Sequence, residues 1–514
     1  MASHDSSLSS TSSSSLTSPV SSPTLSSNQE RDLCDGSLEH PYDLICIGFG
    51  PSALAIAVAL MDTSPEALSK VLFIEKQQRF GWHGGMLIPA ARMQISFIKD
   101  FATQRDPTSR FTFLNFLHSK DRLIDFINQS TFYPLREEYQ EYMSWCADHF
   151  SNQVAYGEYS QSVTPVDGPN GDHGKSEEPI KLLRVSSAVN DQGGNRDRYA
   201  RNVIVCTGGQ PKVPGFFPKI SRGPITSTGG RSGALSEDSD NSLNSLMFHS
   251  SSFMYVMPRL VAHANKGPIR IAVIGAGQSA AEIAMHLISN LPESSAVDMI
   301  FSSRALRPAD DTPFVNEIFN PSAVDEIYAL PQSVRSKVIQ EDKGTNYSVV
   351  RSELIDRLYD ELYAQKLPGH SARLAILNSR RVSDASVLDG KRVRLEIVDN
   401  LFADFKRDQE LQTEIKEYDY VIAATGYDRV SESGALLSSL KQYVKLMDEN
   451  EPAVDRGYRL KLDREKIEAS VWVQGLCEQS HGLSDTLLSI LALRGKEIVD
   501  QLFKSDLETS FRKL

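Results

Sequence analysis

Residues 43–60 read DLICIGFGPSALAIAVAL, and the parsing of that stretch decides the fold. Leu44–Ile47 is an apolar run with the length and composition of a buried strand. It breaks at Gly48-Phe49-Gly50-Pro51-Ser52-Ala53 and resumes as an apolar helix. Strand, glycine turn and helix, in that order, give the G-x-G-x-x-(G/A) form of a dinucleotide site. Gly48 permits the tight turn, Gly50 lets backbone approach a pyrophosphate, and Ala53 lets the helix lie close on the sheet. The helix N-terminus, with Pro51 and Ser52 in its first turn, offers free N–H groups and a partial positive charge to phosphate. The next strand pattern, Val71–Ile74, ends in Glu75, an acid placed to accept hydrogen bonds from an unphosphorylated ribose.

Bulk properties narrow the class. The chain has 514 residues, 40% of them hydrophobic, which is enough for a large core and two or three domains. A net charge of −12 argues against nucleic-acid or anionic-membrane partners. No apolar run is long enough to cross a bilayer. Residues 1–39 are Ser-rich and lack an apolar h-region, so they read as a disordered tail and not as a secretory signal. The five cysteines, Cys34, Cys46, Cys146, Cys206 and Cys477, form no C-x-x-C pair. A redox-active dithiol is therefore disfavoured, and each cysteine reads as a small buried hydrophobe in a reduced, cytoplasmic protein. No His or Cys lies near Asp310-Asp311, so a loop or helix N-cap role is expected there and no metal site.

Further along, Lys76–Ala91 contains Gly, Trp and His residues that could wall a ring system. Lys99 sits among Phe97, Ile98 and Phe101, as either a solvated cation or an anion clamp. Phe111–Leu117 reads as a core helix, and Phe132–Phe150 as an amphipathic one. Residues 165–178 and 219–246 read as exposed loops. Asn202–Cys206 is a strand ending in Thr207-Gly208. The opening pattern then recurs: strand Ile269–Ile274, turn Gly275-Ala276-Gly277-Gln278-Ser279-Ala280, helix Ala281–Leu291. The following strand, Val297–Phe301, runs into Ser302-Ser303-Arg304 and carries no acid. Basic and hydroxyl residues there favour a ribose 2′-phosphate. The first site thus reads as FAD and the second as NADPH, with hydride passing between them. Asp419–Tyr427, again ending in Thr-Gly, is expected to return to the first domain. Ser484 or Asp485 is expected to cap a last helix.

Long blocks of the chain resemble the fungal L-ornithine N(5)-monooxygenases, the flavin enzymes that open hydroxamate siderophore synthesis. The blocks are GFGPSALAIA, MQISFIKDFATQRDP, FTFLNFL, GAGQSAAEI, RPADDTPFVNEIFNP, TNYSVVR, ATGY and HGLSDTLLSILALRG, spread over residues 40–505. The resemblance implies an α/β fold with two Rossmann-like dinucleotide-binding domains and a smaller, largely helical substrate-binding part. In residue terms the expected layout is an FAD domain at 40–240 and 406–505, an NADPH domain with the helical segment at 241–405, and a C-terminal tail at 506–514. It implies FAD on Gly48, Gly50, Pro51, Ser52, Glu75, Lys76, Gln77, Gln78, Arg79, Phe80, Gly81, Trp82, His83, Gln94, Thr486, Leu487 and Leu488. It implies NADPH on Gly275, Ala276, Gly277, Gln278, Ser279 and Asn346, with Arg304 as the cation for the 2′-phosphate. It implies L-ornithine on Lys99, Asn316, Asn346 and Ser489, O2 as co-substrate, and a homotetramer.

The chemistry so implied is hydroxylation of the ornithine side-chain amine through a flavin hydroperoxide, with no protein nucleophile and no metal. The amine must be neutral to react, yet a free alkyl ammonium titrates near about 10.4. A carboxylate partner would hold it protonated, whereas neutral Asn316 and Asn346 would not. Lys99 suits the substrate carboxylate. Lysine N(6)-hydroxylation is the nearest alternative, because one methylene is worth only about 1–3 kcal/mol in a pocket. A flavin monooxygenase for sulfur or carbonyl substrates and a non-catalytic flavoprotein are the more distant ones.

Overall fold

The computed structural model describes residues 34–166, 178–189, 194–217, 245–401, 413–445 and 453–511. The expected N-terminal tail up to residue 33, the loop at 167–177 and most of the loop at 219–246 lie outside the described residues.

The opening stretch folds as parsed: strand Tyr42–Ile47, then helix Pro51–Thr63 with Gly50 as its N-cap residue. Strand Val71–Glu75 follows and pairs in parallel with the first. Every residue from Ala53 to Leu60 is fully buried, because the helix is covered by the sheet on one side and by the C-terminal helix Leu491–Phe511 on the other. Gly495 makes that crossing possible: a Cβ there would lie 2.8 Å from the Ala55 carbonyl oxygen. The same helix runs through residues 506–511, which the sequence had placed in a tail.

The long strand Asn195–Val205 joins two kinds of sheet. Its second half pairs in parallel with Tyr42–Ile47, and its first half pairs antiparallel with Leu182–Val189, which continues to Glu158–Val166. Strand Ser470–Val473 takes the edge beside Asn202–Val205. This strand, and not Tyr420–Ala423, returns the chain to the first sheet.

Tyr420–Ala423 instead lies inside a second, five-stranded parallel sheet, between Arg270–Ile274 and Met247–His249. The expectation that it rejoins the first domain is thus corrected. A fully buried four-residue strand (Tyr420–Ala423) carries no mark of which sheet it enters, and here the neighbouring strand Thr413–Tyr418 commits it. Thr413–Tyr418 closes a three-stranded antiparallel meander with Arg380–Leu388 and Arg392–Asp399. Val393, Leu395, Ile397 and Tyr418 of that meander pack on Ala272, Ile300, Val421 and Ala423 of the second sheet. Helices Phe253–Ala264, Gln278–Asn290 and Ser352–Ala364 cover its other face.

The chain crosses between the two domains twice. The crossings pair with each other, Gln210-Pro211 antiparallel to Tyr427-Asp428. Between residues 313 and 346 the second domain extrudes four short helical segments. The last three pack on Glu478–His481 and Leu483–Thr486 of the first domain. This is the expected helical part.

Candidate active site

The site begins at the first glycine turn. Gly48 has φ +91°, and a Cβ there would lie 2.5 Å from the Cys206 carbonyl oxygen. Only glycine lets the turn press against the Thr207-Gly208 strand end. A Cβ on Gly50 would meet nothing within 4 Å, so this backbone is open to a ligand. Glu75 is buried and accepts hydrogen bonds from the Phe49 amide at 2.7 Å and the Gln77 amide at 2.9 Å. It thereby braces the turn against the loop that follows its own strand.

A cavity of about 390 Å³ opens at this turn, at the carboxyl ends of the parallel strands. Gly48, Gly50, Pro51, Ser52, Glu75, Lys76, Gln77, Gly81, Trp82, His83, Thr486, Leu487 and Leu488 of the expected FAD set line it. Gln78, Arg79, Phe80 and Gln94 do not. Phe80 is buried behind the wall with its ring edge-on to Phe49, while Gln78, Arg79 and Gln94 are exposed. His83 adopts a left-handed conformation at φ +49°, between the Trp82 and Tyr427 rings. Tyr427 belongs to the interdomain crossing, so the cavity reaches the boundary between the domains.

The lining also contains groups the sequence did not single out: Glu158–Gln161, Arg429, Glu432, Gln474 and Arg494. Arg494 had a legible signal, a lone cation inside the apolar run LALRG. The others had none, because strands distant in sequence bring them in. Asp485 does not cap the last helix, which starts at Leu491. It is buried, accepts from the Cys477 amide at 2.6 Å, and pairs with Arg494 at 3.0 Å. Among the described residues, Ser160 Oγ, Gln474 Oε1 and Arg494 Nε are buried polar atoms without a partner, on residues that line this cavity. The open Gly50 backbone and the mixture of hydroxyl, amide, carboxylate and cationic side chains along the wall suit a polar ligand, and a dinucleotide with its hydroxyls and phosphates fits that donor and acceptor mixture.

The second turn is built alike but covered differently. Gly275 has φ +143°, and a Cβ there would lie 2.4 Å from the Ala424 carbonyl oxygen. A Cβ on Gly277 would lie 3.6 Å from Ser348 Cα, so the Asn346-Tyr347-Ser348 segment stands over this turn. The Gln278 amide group is committed on both sides. It donates to Glu282 at 2.9 Å and accepts from the Arg351 amide at 2.9 Å. Ala276 and Ser279 are half-buried beside it, and Arg304 is exposed at the end of the next strand. None of these residues lines the 390 Å³ cavity.

The four expected ornithine residues lie on separate elements. Asn346 ends helix Gln332–Asn346, and Asn316 ends the short helix Pro313–Asn316. The first helix, and the turn Glu317–Phe319 that follows the second, pack on Leu483–Thr486, just before Ser489. Asn316 is half-buried and is not in the apolar setting its sequence neighbours suggest. Its amide donates to the Asp311 carbonyl at 2.8 Å, so the Asp310-Asp311 loop is shaped by it. Ser489 is 1% exposed and its hydroxyl has no partner among the described residues. Lys99 is half-buried, and loss of solvent lowers its pKa. Among the described residues no carboxylate lies within 4 Å of its ammonium. Its loop reaches the Asn346 side of the site through Arg351, whose Nη1 donates to the Met93 carbonyl at 3.4 Å.

Two glycine turns, each pressed against a Thr-Gly strand end and joined by paired crossings, define a two-dinucleotide-domain protein. Comparisons with known proteins narrow this. A family model described as L-lysine 6-monooxygenase/L-ornithine 5-monooxygenase matches residues 40–232 and 225–429. The L-ornithine N(5)-monooxygenase of Ajellomyces capsulatus is 41% identical over 470 residues, 90% of this chain and 91% of that one. The solved ornithine hydroxylase of Pseudomonas aeruginosa superposes with a TM-score of 0.75 at 35% identity, covering 90% of this chain and 99% of that one. The ornithine N-hydroxylase of Kutzneria sp. 744, in complex with reduced FAD, NADP+ and L-ornithine, superposes at 0.76 and 32% identity, covering 91% and 100%. The chain belongs to the L-lysine 6-monooxygenase/L-ornithine 5-monooxygenase family.

Proposed function

We propose that the protein hydroxylates the side-chain amine of L-ornithine with O2, using FAD and NADPH, as the first step of hydroxamate siderophore synthesis. The observation that carries the reading is the half-buried Lys99 without a carboxylate partner, in a family whose compared members act on ornithine. FAD, reduced by NADPH, supplies the oxygen chemistry when bound. The first turn, the Gly81–His83 loop and Thr486–Leu488 are assigned to FAD. The Gly275–Ser279 turn and Arg304 are assigned to NADPH.

The chain's own residues bind and orient the substrate. Lys99 takes the ornithine carboxylate, a charge-assisted contact that fixes how far the side-chain amine reaches. Asn316, Asn346 and the Ser489 hydroxyl orient that amine without adding negative charge, so the neutral form is not disfavoured. Walls from both domains keep bulk water from the reacting amine. The reading carries with it a homotetramer and a cytoplasmic site of action; among the described residues no helix is long and apolar enough to cross a membrane.

Product analysis with L-ornithine and L-lysine side by side tests this. Hydroxylamine formation from ornithine well above that from lysine is expected. Equal products, or more from lysine, would overturn the substrate assignment.

A further inference from the structure

The most deeply buried charges at the cavity belong to Asp485 and Arg494, whose side chains are 0% and 1% exposed. Arg494 Nη1 donates to both the Asp485 carbonyl at 2.7 Å and the Asp485 carboxylate at 3.0 Å. The carboxylate is itself fixed by the Cys477 amide. The guanidinium is therefore held along one edge. Its Nη2 on the other edge donates to Ser52 Oγ at 3.3 Å. Ser52 lies in the first turn of helix Pro51–Thr63, whose N-cap Gly50 has no side chain to satisfy the free N–H groups. The close helix crossing at Gly495 seats Arg494 directly beneath that turn.

An arginine can only donate. A serine hydroxyl that accepts from it must send its own proton elsewhere, and Ser52 lines the cavity. We infer that Asp485 and Arg494 are positioning residues that turn Ser52 into a fixed donor toward the diphosphate of FAD. The inference rests on the reading that this cavity holds FAD. Asp485 precedes Thr486–Leu488, the flavin wall, so one ion pair joins the phosphate end of the site to the flavin end. A buried ion pair adds little net stability over neutral groups of similar size. Removing both charges together is therefore a clean perturbation.

The test is FAD affinity of apoprotein, read by flavin fluorescence, for wild type, S52A, D485N/R494M and the triple variant. NADP+ affinity and the apoprotein melting temperature report folding. D485N/R494M and S52A should each raise the FAD Kd at least about tenfold, the loss of one hydrogen bond to a charged group. The triple variant should be no worse than the weaker of the two, because both changes remove one contact. NADP+ affinity should not move. An unchanged FAD Kd in D485N/R494M overturns the inference, and so do losses that multiply in the triple variant. A parallel loss of NADP+ affinity and apoprotein melting temperature would show a structural role and also overturn it. Failure of the wild type to take up FAD would sink the FAD reading itself.

Discussion

The two glycine-turn units are built on one plan and finished differently. In the first, the Gly48 amide donates to Ile74 O at 2.8 Å and the Cys206 amide donates to Ile47 O at 2.8 Å. In the second, Gly275 donates to Ile300 O at 3.0 Å and Ala424 to Ile274 O at 2.8 Å. Each first glycine thus seals a strand end against a Thr-Gly turn. The finish differs at two places. Glu75 ends its strand with both carboxylate oxygens engaged by backbone, whereas the matching position in the second unit opens into Ser302-Ser303-Arg304. Gly50 faces open cavity, whereas Gly277 lies under Ser348. The helices behind the turns do not differ in this way: Ala53–Leu60 of the first and Ala280–Met285 of the second are buried, and the two residues before each are half-buried. The first unit is a preformed clamp. The second is a turn already covered in part by the Asn346–Ser348 segment.

The sharpest way to break this comparison is to add one carbon at each glycine. G48A and G275A put a Cβ about 2.5 Å from a backbone oxygen at positive φ. Each should cost about 4 kcal/mol of stability, seen in thermal or denaturant unfolding. G50A differs. Its Cβ meets no protein atom, so the apoprotein should melt as wild type does, while FAD uptake falls at least about a hundredfold, equivalent to 2.7 kcal/mol. An apoprotein weakened by G50A would show that Gly50 serves the fold and not the ligand.

Acid should load both halves alike. His249 and His481 are buried, one in each domain, and loss of solvent lowers each pKa to about 4. The unfolded chain binds these protons near 6.5 and the folded one does not. Stability is therefore full above about 6.5 and falls as pH drops toward 4, by on the order of 3 kcal/mol for each histidine. H249N and H481N should each flatten that part of the pH–stability curve. A wild-type curve already flat between these values would show that neither ring is held neutral.

K99A carries the comparison to the substrate. Lys99 is the half-buried cation assigned to the ornithine carboxylate, so its loss should raise the ornithine KM about a hundredfold. NADPH-driven flavin reduction should keep its rate. Because burial lowers the Lys99 pKa, ornithine KM should also climb with alkaline pH sooner than for a free lysine. Loss of FAD in K99A would place the residue in the flavin site instead.

How much of this was legible in the sequence follows from range. Both turns, the helices behind them and the strand that ends in Glu75 are local patterns, and they lie where the sequence puts them. Tyr420–Ala423 was assigned to the wrong sheet because a short buried strand is apolar on both faces wherever it lies. Gln474, Arg429 and Glu158 reach the cavity only through pairings between distant strands, such as Ser470–Val473 beside Asn202–Val205. Asp485 read as a helix cap because the lone cation Arg494, though visible in its apolar run, shows its partner only once the last helix is packed against the first. Asn316 shows the reverse. Its neighbours Phe314 and Val315 are apolar in sequence, but Phe314 is 83% exposed and the Asn316 amide donates to the Asp311 and Thr312 carbonyls of its own loop.

The smallest expected effect tests the least finished part of the second unit. The backbone at Ser303 and Arg304 is pinned: the Ser303 carbonyl accepts from the Ser379 amide at 2.9 Å, and the Arg304 carbonyl accepts from Asn378 Nδ2. The Arg304 guanidinium is exposed, and among the described residues it has no partner. A fixed backbone carrying an uncommitted cation is what a 2′-phosphate needs, and it is the opposite of Glu75, whose oxygens are already engaged. An exposed cation on a phosphate is worth less than the contact proposed for half-buried Lys99. R304A should therefore lower the preference for NADPH over NADH by about tenfold, equivalent to 1.4 kcal/mol. Arg307, also exposed, stands three residues on and provides the control. If R304A keeps the preference while R307A loses it, the phosphate lies one step further along the strand end. If both keep it, the cation that distinguishes the two units lies elsewhere in the second domain.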